Sequence, residues 1–172
     1  HPTKALACKT EKGSLHECYV SGVDYMAEEG EACKKISNEE LLELDCDILI
    51  LAALENQVHE HNVSWIKAKM ILELANGPIT WEADKYLRDQ KIPVIPDILA
   101  NAGGVTVSYF EQVQNAKGEQ WSIEEVLTKL RPIMENATKR ALQASEEFQS
   151  SLRIGAFISS FRQLAKVMKQ KG

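Results

Sequence analysis

The chain has 172 residues, 44% hydrophobic and 26% charged, the balance of a soluble globular protein with enough length for one ordinary core. Lys and Arg total 20 against 25 Asp and Glu, a formal net charge of -5, so a basic face for phosphate backbones, and with it a nucleic-acid partner, is not expected. The longest apolar run, Ile48 to Leu54, falls far short of the roughly 20 residues of a membrane-spanning helix, and no membrane partner is expected.

The chain opens on His1 rather than Met, and a start lost from a longer protein is the expectation. Cys8, Cys18, Cys33 and Cys46 form no C-x-x-C pair, so zinc spacing is missing and no metal ligand is assigned. Free thiols in a reducing compartment follow, and a cytoplasmic location with them. Cys46 lies between Asp45 and Asp47, which disfavour its thiolate, and it is given no catalytic role.

Residues 1–36 are polar and follow neither the period of a strand nor that of a helix. They read as loop with one poor strand about Cys18 to Val23, the amino-terminal segment of an incomplete domain. Ser37-Asn38-Glu39-Glu40 is a capping-box pattern that opens a short helix through Leu42. Three short apolar runs follow: Ile48 to Ala53, Met70 to Leu74 and Ile92 to Ile95. Each is rich in branched or bulky residues and apolar on both faces, as a central parallel strand is. Thr80 caps a helix whose Ala83, Tyr86 and Leu87 share a face.

This order is that of a β-α-β-α-β unit, half of a Rossmann-like doubly wound parallel sheet, and the fold class is α/β. Helices complete the chain. One spans Val105 to Val113, opened by Gly103-Gly104. A second follows the capping box at Ser122, with an apolar stripe from Ile123 to Phe148 and a kink or break at Pro132. A last one runs from about Ile154 to Lys169. Residues 37–172 are thus a partial Rossmann-like domain with carboxyl-terminal helices.

Ligands of open parallel sheets bind beyond the carboxyl ends of the strands. Three unusual segments fall there: Ala52 to Gln57, Ala75 to Pro78 and Asp97 to Val105. Each couples small residues with an amide side chain that donates and accepts. Singly, each reads as turn punctuation; together they point to a floor for a nucleotide and its nicotinamide amide.

Past Gly103-Gly104, a helix start would offer free N–H groups, and Val105 and Ser108, three apart, share a face. Ser108 could donate to a substrate carboxylate while Val105 packs its carbon chain. A serine bonded back to the helix carbonyl beside a core valine is the plainer alternative on spacing. His59-Glu60-His61 reads as a solvated loop, and Trp65, Trp81 and Trp121 as packing at crossovers.

The run from Asn38 to Gln57 (NEELLELDCDILILAALENQ), then Ala75 to Thr80 (ANGPIT), then Ile95 to Glu111 (IPDILANAGGVTVSYFE) resembles the coenzyme domain of glutamate dehydrogenases, in the glutamate/leucine/phenylalanine/valine dehydrogenase family. The likeness is looser through the helices to Gly172 and poor over residues 1–36. It implies NAD- or NADP-dependent, reversible oxidative deamination of an amino acid, L-glutamate in the first place, by a homo-oligomer. By the same resemblance Ala53, Asn56 and Asn76 would line the coenzyme groove and Asn101 would meet the nicotinamide ribose or carboxamide. Val105 and Ser108 would form the side-chain pocket of the substrate, with the serine hydroxyl on its γ-carboxylate.

The chain departs from the family pattern at Leu51, Leu74, Ile79, Trp81 and Gln112, and reads Arg153-Ile154-Gly155-Ala156-Phe157 where the family tends to have Arg-Thr-Ala-Ala-Tyr. Leu74 puts a bulky side chain where close coenzyme approach is expected. No G-x-G occurs, so the glycine turn that grips a pyrophosphate is missing. The family's catalytic lysine and aspartate belong to a separate amino-terminal domain, and no catalytic residue is assigned. A fragment of a longer enzyme, inactive alone, is the first expectation. A remnant that folds or docks on a full-length subunit without turnover is the alternative, and an exposed sheet edge and apolar face imply self-association or aggregation.

Overall fold

The computed structural model describes residues 6–7, 9–11, 13 and 36–171. The strand expected about Cys18 to Val23 and the thiols of Cys8, Cys18 and Cys33 lie outside the described residues. Two compact units divide the chain, His1–Leu41 and Leu42–Gly172. Helix α1 (Asn38–Leu42) begins as its sequence dictates. The Ser37 N–H donates to Glu40 Oε2 at 2.8 Å, and the Glu40 N–H donates to Ser37 Oγ at 3.1 Å.

In the second unit, β1 (Ile48–Leu51), β2 (Met70–Glu73) and β3 (Val94–Ile95) form a parallel sheet in the order β1-β2-β3. Leu49 lies opposite Ile71, and Ile71 opposite Val94. The strands are shorter than the apolar runs that encode them. The Leu74 and Ala75 N–H groups both donate to the Leu51 carbonyl at 2.8 Å, which closes the β1–β2 ladder and turns the chain away.

The β1–β2 crossover differs from a β-α-β unit, because its only helical turn among the described residues is the 3₁₀ turn Val63–Trp65. The reason lies in Asn62, whose Oδ1 accepts from the His59 N–H at 2.8 Å and whose Nδ2 donates to the Gln57 carbonyl at 2.9 Å. That holds a turn where a helix would need intrachain carbonyls free. Val58 then bridges Ile79 in parallel and buries completely.

Helix α2 (Trp81–Asp89) has Thr80 as its cap and lays Ala83 and Leu87 on the sheet over Leu49, Leu51 and Ile71. Beyond β3, in the helical stretch expected after Pro96, come a separate single turn, α3 (Asp97–Ala100), and α4 (Ala102–Lys117). Then follow α5 (Ile123–Glu147) and α6 (Leu152–Lys171). The capping box at Ser122 forms, and α5 runs unbroken through Pro132. The α5–α6 turn ends α5 with Gln149 in the left-handed region, φ 46, and Ser150 N–H donating back to Ser145. Small residues Ala141, Ala144, Gly155 and Ala156 are buried between α5 and α6, where a Cβ on Gly155 would meet the Ala141 carbonyl oxygen and lie 2.7 Å from Ser145 Cβ.

Burial on β1 alternates sharply. Leu49 is 8% exposed and Leu51 is buried on the α2 side, whereas Ile50, on the other face, is 53% exposed. Of the three tryptophans, Trp121 packs on Phe110 with ring centroids 5.7 Å apart, but Trp65 and Trp81 stay largely exposed, so packing at crossovers holds only for Trp121. No described helix is long and apolar enough to cross a membrane.

Candidate functional site at the carboxyl edge of the sheet

The three amide-bearing turns meet at one edge. Asn56, after β1, adopts φ 53, a left-handed conformation that Asn tolerates better than most residues, and its N–H donates to the Gly77 carbonyl at 2.9 Å. Gly77, after β2, is also left-handed at φ 55. Asn101, after α3, donates from Nδ2 to Asn76 Oδ1 at 2.7 Å and, more weakly, to the Leu74 carbonyl at 3.4 Å. Because a carbonyl only accepts, the Leu74 contact fixes which end of the Asn101 amide is the donor. The pair therefore keeps Asn101 Oδ1 as a free acceptor and the Asn76 NH₂ as a free donor, both among described residues. Those are the complements of a primary carboxamide's own NH₂ and C=O.

A buried ion-pair node holds this edge. Glu73, the last residue of β2, is fully buried, and its Oε1 accepts from Arg153 Nη2 at 2.7 Å. Its Oε2 accepts from the Asp97 N–H at 2.7 Å. Asp97 accepts from the Gly77 N–H at 2.8 Å through one oxygen, and from the Ile98 N–H (2.7 Å) and Arg153 Nη1 (3.2 Å) through the other. Arg153 Nε completes the fork on Asp84 of α2 at 2.9 Å, and Arg88 adds a second cation on Asp84 at 3.3 Å. Burial alone would lower the guanidinium's pKa. The hydrogen bonds and charges of Glu73, then Asp84, outweigh it and raise Arg153 above its ordinary value, so it is a fixed cation.

None of the five residues of this node is among the site residues expected from sequence. One signal was available: Glu73 stands inside an apolar strand, and a buried carboxylate requires a cation. Arg153 is the sole Lys or Arg between Arg140 and Arg162.

Ala53 is exposed in the turn after β1. The helix expected from Gly103-Gly104 starts one residue earlier, and the Gly104 N–H donates to the Asn101 carbonyl at 3.2 Å, so that N–H is not free for a ligand. Val105 is 71% exposed and Ser108 is exposed, three apart on α4, with no hydrogen bond from the Ser108 hydroxyl among the described residues. The plainer alternative of a core valine is thus excluded. Leu74, whose carbonyl accepts from Asn101, has an exposed side chain. A cavity of about 590 Å³ lies between α2, β3 and the α5–α6 turn, lined in part by Arg88, Lys91, Leu142 and Arg153, and it contains none of the six expected site residues.

A parallel sheet with amide-bearing turns along its carboxyl edge and helices after it belongs to the Rossmann-like α/β class. The family model for glutamate/leucine/phenylalanine/valine dehydrogenases matches residues 3–172, and the chain belongs to that family. The match takes in residues 1–36 almost whole, where the residues by themselves gave a poor likeness.

The chain is 42% identical over 177 residues to the NAD-specific glutamate dehydrogenase of Staphylococcus aureus, a match covering 98% of the chain and 43% of that relative. It is 47% identical over 137 residues to a cryptic catabolic NAD-specific glutamate dehydrogenase of Bacillus subtilis, covering 80% of the chain and 32% of the relative. The chain thus spans less than half the length of these curated relatives. Among solved structures, the hetero-hexameric glutamate dehydrogenase of Thermus thermophilus superposes with a TM-score of 0.81 at 25% identity, over 99% of the chain and 37% of that structure. The glutamate dehydrogenase of Peptoniphilus asaccharolyticus does so with a TM-score of 0.67 at 39% identity, over 72% and 31%.

Proposed function

We propose that the chain is the coenzyme-side part of an NAD(P)-dependent glutamate dehydrogenase, with residues 37–172 as a partial coenzyme domain. The observation that carries this reading is the Asn76–Asn101 pair, held at 2.7 Å with one acceptor and one donor left without a hydrogen bond among the described residues. A nicotinamide carboxamide is complementary to both, and the two curated relatives described above are NAD-specific by name. Held by Asn76 and Asn101, a nicotinamide coenzyme would supply the hydride acceptor for oxidative deamination of glutamate to 2-oxoglutarate and ammonia.

The residues of this chain bind and orient. Asn101 and Asn76 take the carboxamide and so fix which ring face meets the substrate. Ala53, with only a methyl side chain, and Asn56, by its turn, line the groove beside them. Val105 and Ser108 stand on α4, and the free Ser108 hydroxyl is available to a γ-carboxylate. Catalytic lysine and aspartate would come from the rest of a longer subunit, and the chain alone is expected to bind without turnover.

The test is calorimetric titration of the folded chain with NADH and then NADPH, with and without glutamate. Saturable heat is expected, weakened about tenfold by Asn101→Ala, the order of a lost hydrogen-bonded contact. A folded chain giving no heat at millimolar coenzyme would refute the reading and favour the docking remnant. The exposed face of β1 supports association, either with a subunit of the same kind or with a second copy of this chain.

A further inference from the structure

We propose that Arg153, from α6, is the positioning residue of the Asn76–Asn101 pair, so that the carboxyl-terminal helix sets the geometry of the coenzyme floor. This rests on the reading of that pair as the carboxamide contact. The path is continuous in hydrogen bonds. Arg153 grips Glu73 at 2.7 Å and Asp97 at 3.2 Å. Glu73 fixes the Asp97 N–H, and Asp97 fixes the Gly77 N–H, at 2.7 and 2.8 Å. Gly77 follows Asn76 directly, and Asp97 opens the single helical turn that delivers Asn101, whose N–H donates to the Asp97 carbonyl at 3.0 Å. Both members of the amide pair are therefore set by two of the three carboxylates that Arg153 holds, Glu73 and Asp97.

The node is built for placement. Arg153 lies 56 residues beyond Asp97 and 80 beyond Glu73 in the chain, and it joins the ends of β2, α2 and α3 to α6. Glu73 and Asp97 each divide their two oxygens between the guanidinium and a backbone N–H of a turn. A planar fork meets these demands in fixed directions, which a lysine ammonium cannot do.

The experiment compares the chain with Arg153→Lys, reading amide hydrogen exchange residue by residue and NADH affinity by fluorescence. Arg153→Lys should speed exchange at Gly77 and Asp97 by about tenfold relative to Ile71 in the β2–β3 ladder, and weaken NADH binding by a similar factor. Leu87→Ala, a core truncation that removes no hydrogen bond or ion pair of the node, should speed all three amides together and leave the affinity of the folded fraction within about twofold. An unchanged ratio of Asp97 to Ile71 exchange in Arg153→Lys, or the same ratio change in Leu87→Ala, overturns the proposal. Local loosening with undiminished NADH affinity overturns it as well.

If neither protein takes NADH, the coenzyme reading fails, and the exchange ratio alone upholds or overturns the hold of Arg153 on the pair. Should Arg153→Lys not fold, Asp97→Asn leaves Arg153 on Glu73 and Asp84 and supplies the same comparison at Gly77. Faster exchange there relative to Ile71 upholds the path, and an unchanged ratio breaks it.

Discussion

The carboxyl edge of the sheet and the outer faces of β1 and α6 invert each other. At the edge, charged groups are buried and every one is partnered: Glu73 is fully buried and Arg153 reaches three carboxylates. On the outer faces, large apolar groups stand in solvent: Ile48 and Ile50 on β1, and Phe157, Phe161, Leu164 and Met168 along α6. Burying charge costs free energy that only a complete set of partners offsets, and exposing apolar area forgoes its burial. The contrast marks the edge as finished and the faces as waiting for cover.

The largest effect should come from breaking the node. Arg153→Met leaves Glu73, Asp84 and Asp97 without their shared cation, and a loss of about 3–5 kcal/mol is expected in urea unfolding, the cost of stranding buried charge. A loss below about 1 kcal/mol would mean water already reaches the node.

Next in size is Gly155→Ala. The new Cβ would meet the Ala141 carbonyl oxygen and Ser145, backbone and Cβ atoms that cannot swing aside, and about 1–3 kcal/mol should be lost. The glycine that departs from the family's alanine thereby has a reason in the close α5–α6 crossing. Ile50→Thr and Phe161→Ser belong to the opposite region. Each should change stability by no more than about 0.5 kcal/mol, while the pair shifts sedimentation toward monomer. A large loss of stability from either would show that those faces are already covered.

The same contrast explains what could be read from sequence. Local signals gave local structure: Ser37, Thr80 and Ser122 cap helices as their spacing implies, and the three apolar runs contain the three strands. The β1–β2 crossover misled because an Asn62 side chain, not a periodicity, decides its course. Asn56, Asn76 and Asn101 were visible as unusual turns, but their mutual contacts depend on parallel register. Arg153 was out of reach by spacing, since its partners lie 56–80 residues away and nothing in α6 announces a charge that must be buried. The stripe on α5 was found by period, yet Ile123 and Leu127 remain exposed, for amphipathicity names a face without naming what covers it.

The smallest expected effect separates buried from exposed charge by pH. Glu125, at the exposed start of α5, accepts hydrogen bonds that hold its carboxyl below the ordinary glutamate range: the backbone N–H of Ser122 first and its side chain next, with the charge of Lys129 adding a little. A carboxyl lowered in the folded state contributes stability that is present above its unfolded pKa and fades as pH falls through the folded one. Unfolding midpoints taken between about pH 6 and pH 3 should therefore decline in the intact chain, and Ser122→Ala should flatten part of that decline. Arg153 does not titrate across this interval, so the contribution of Ser122 and Glu125 can be read as the difference between two otherwise identical curves. Parallel curves would mean that the α5 terminus frays freely and that the box holds no more than its own two residues.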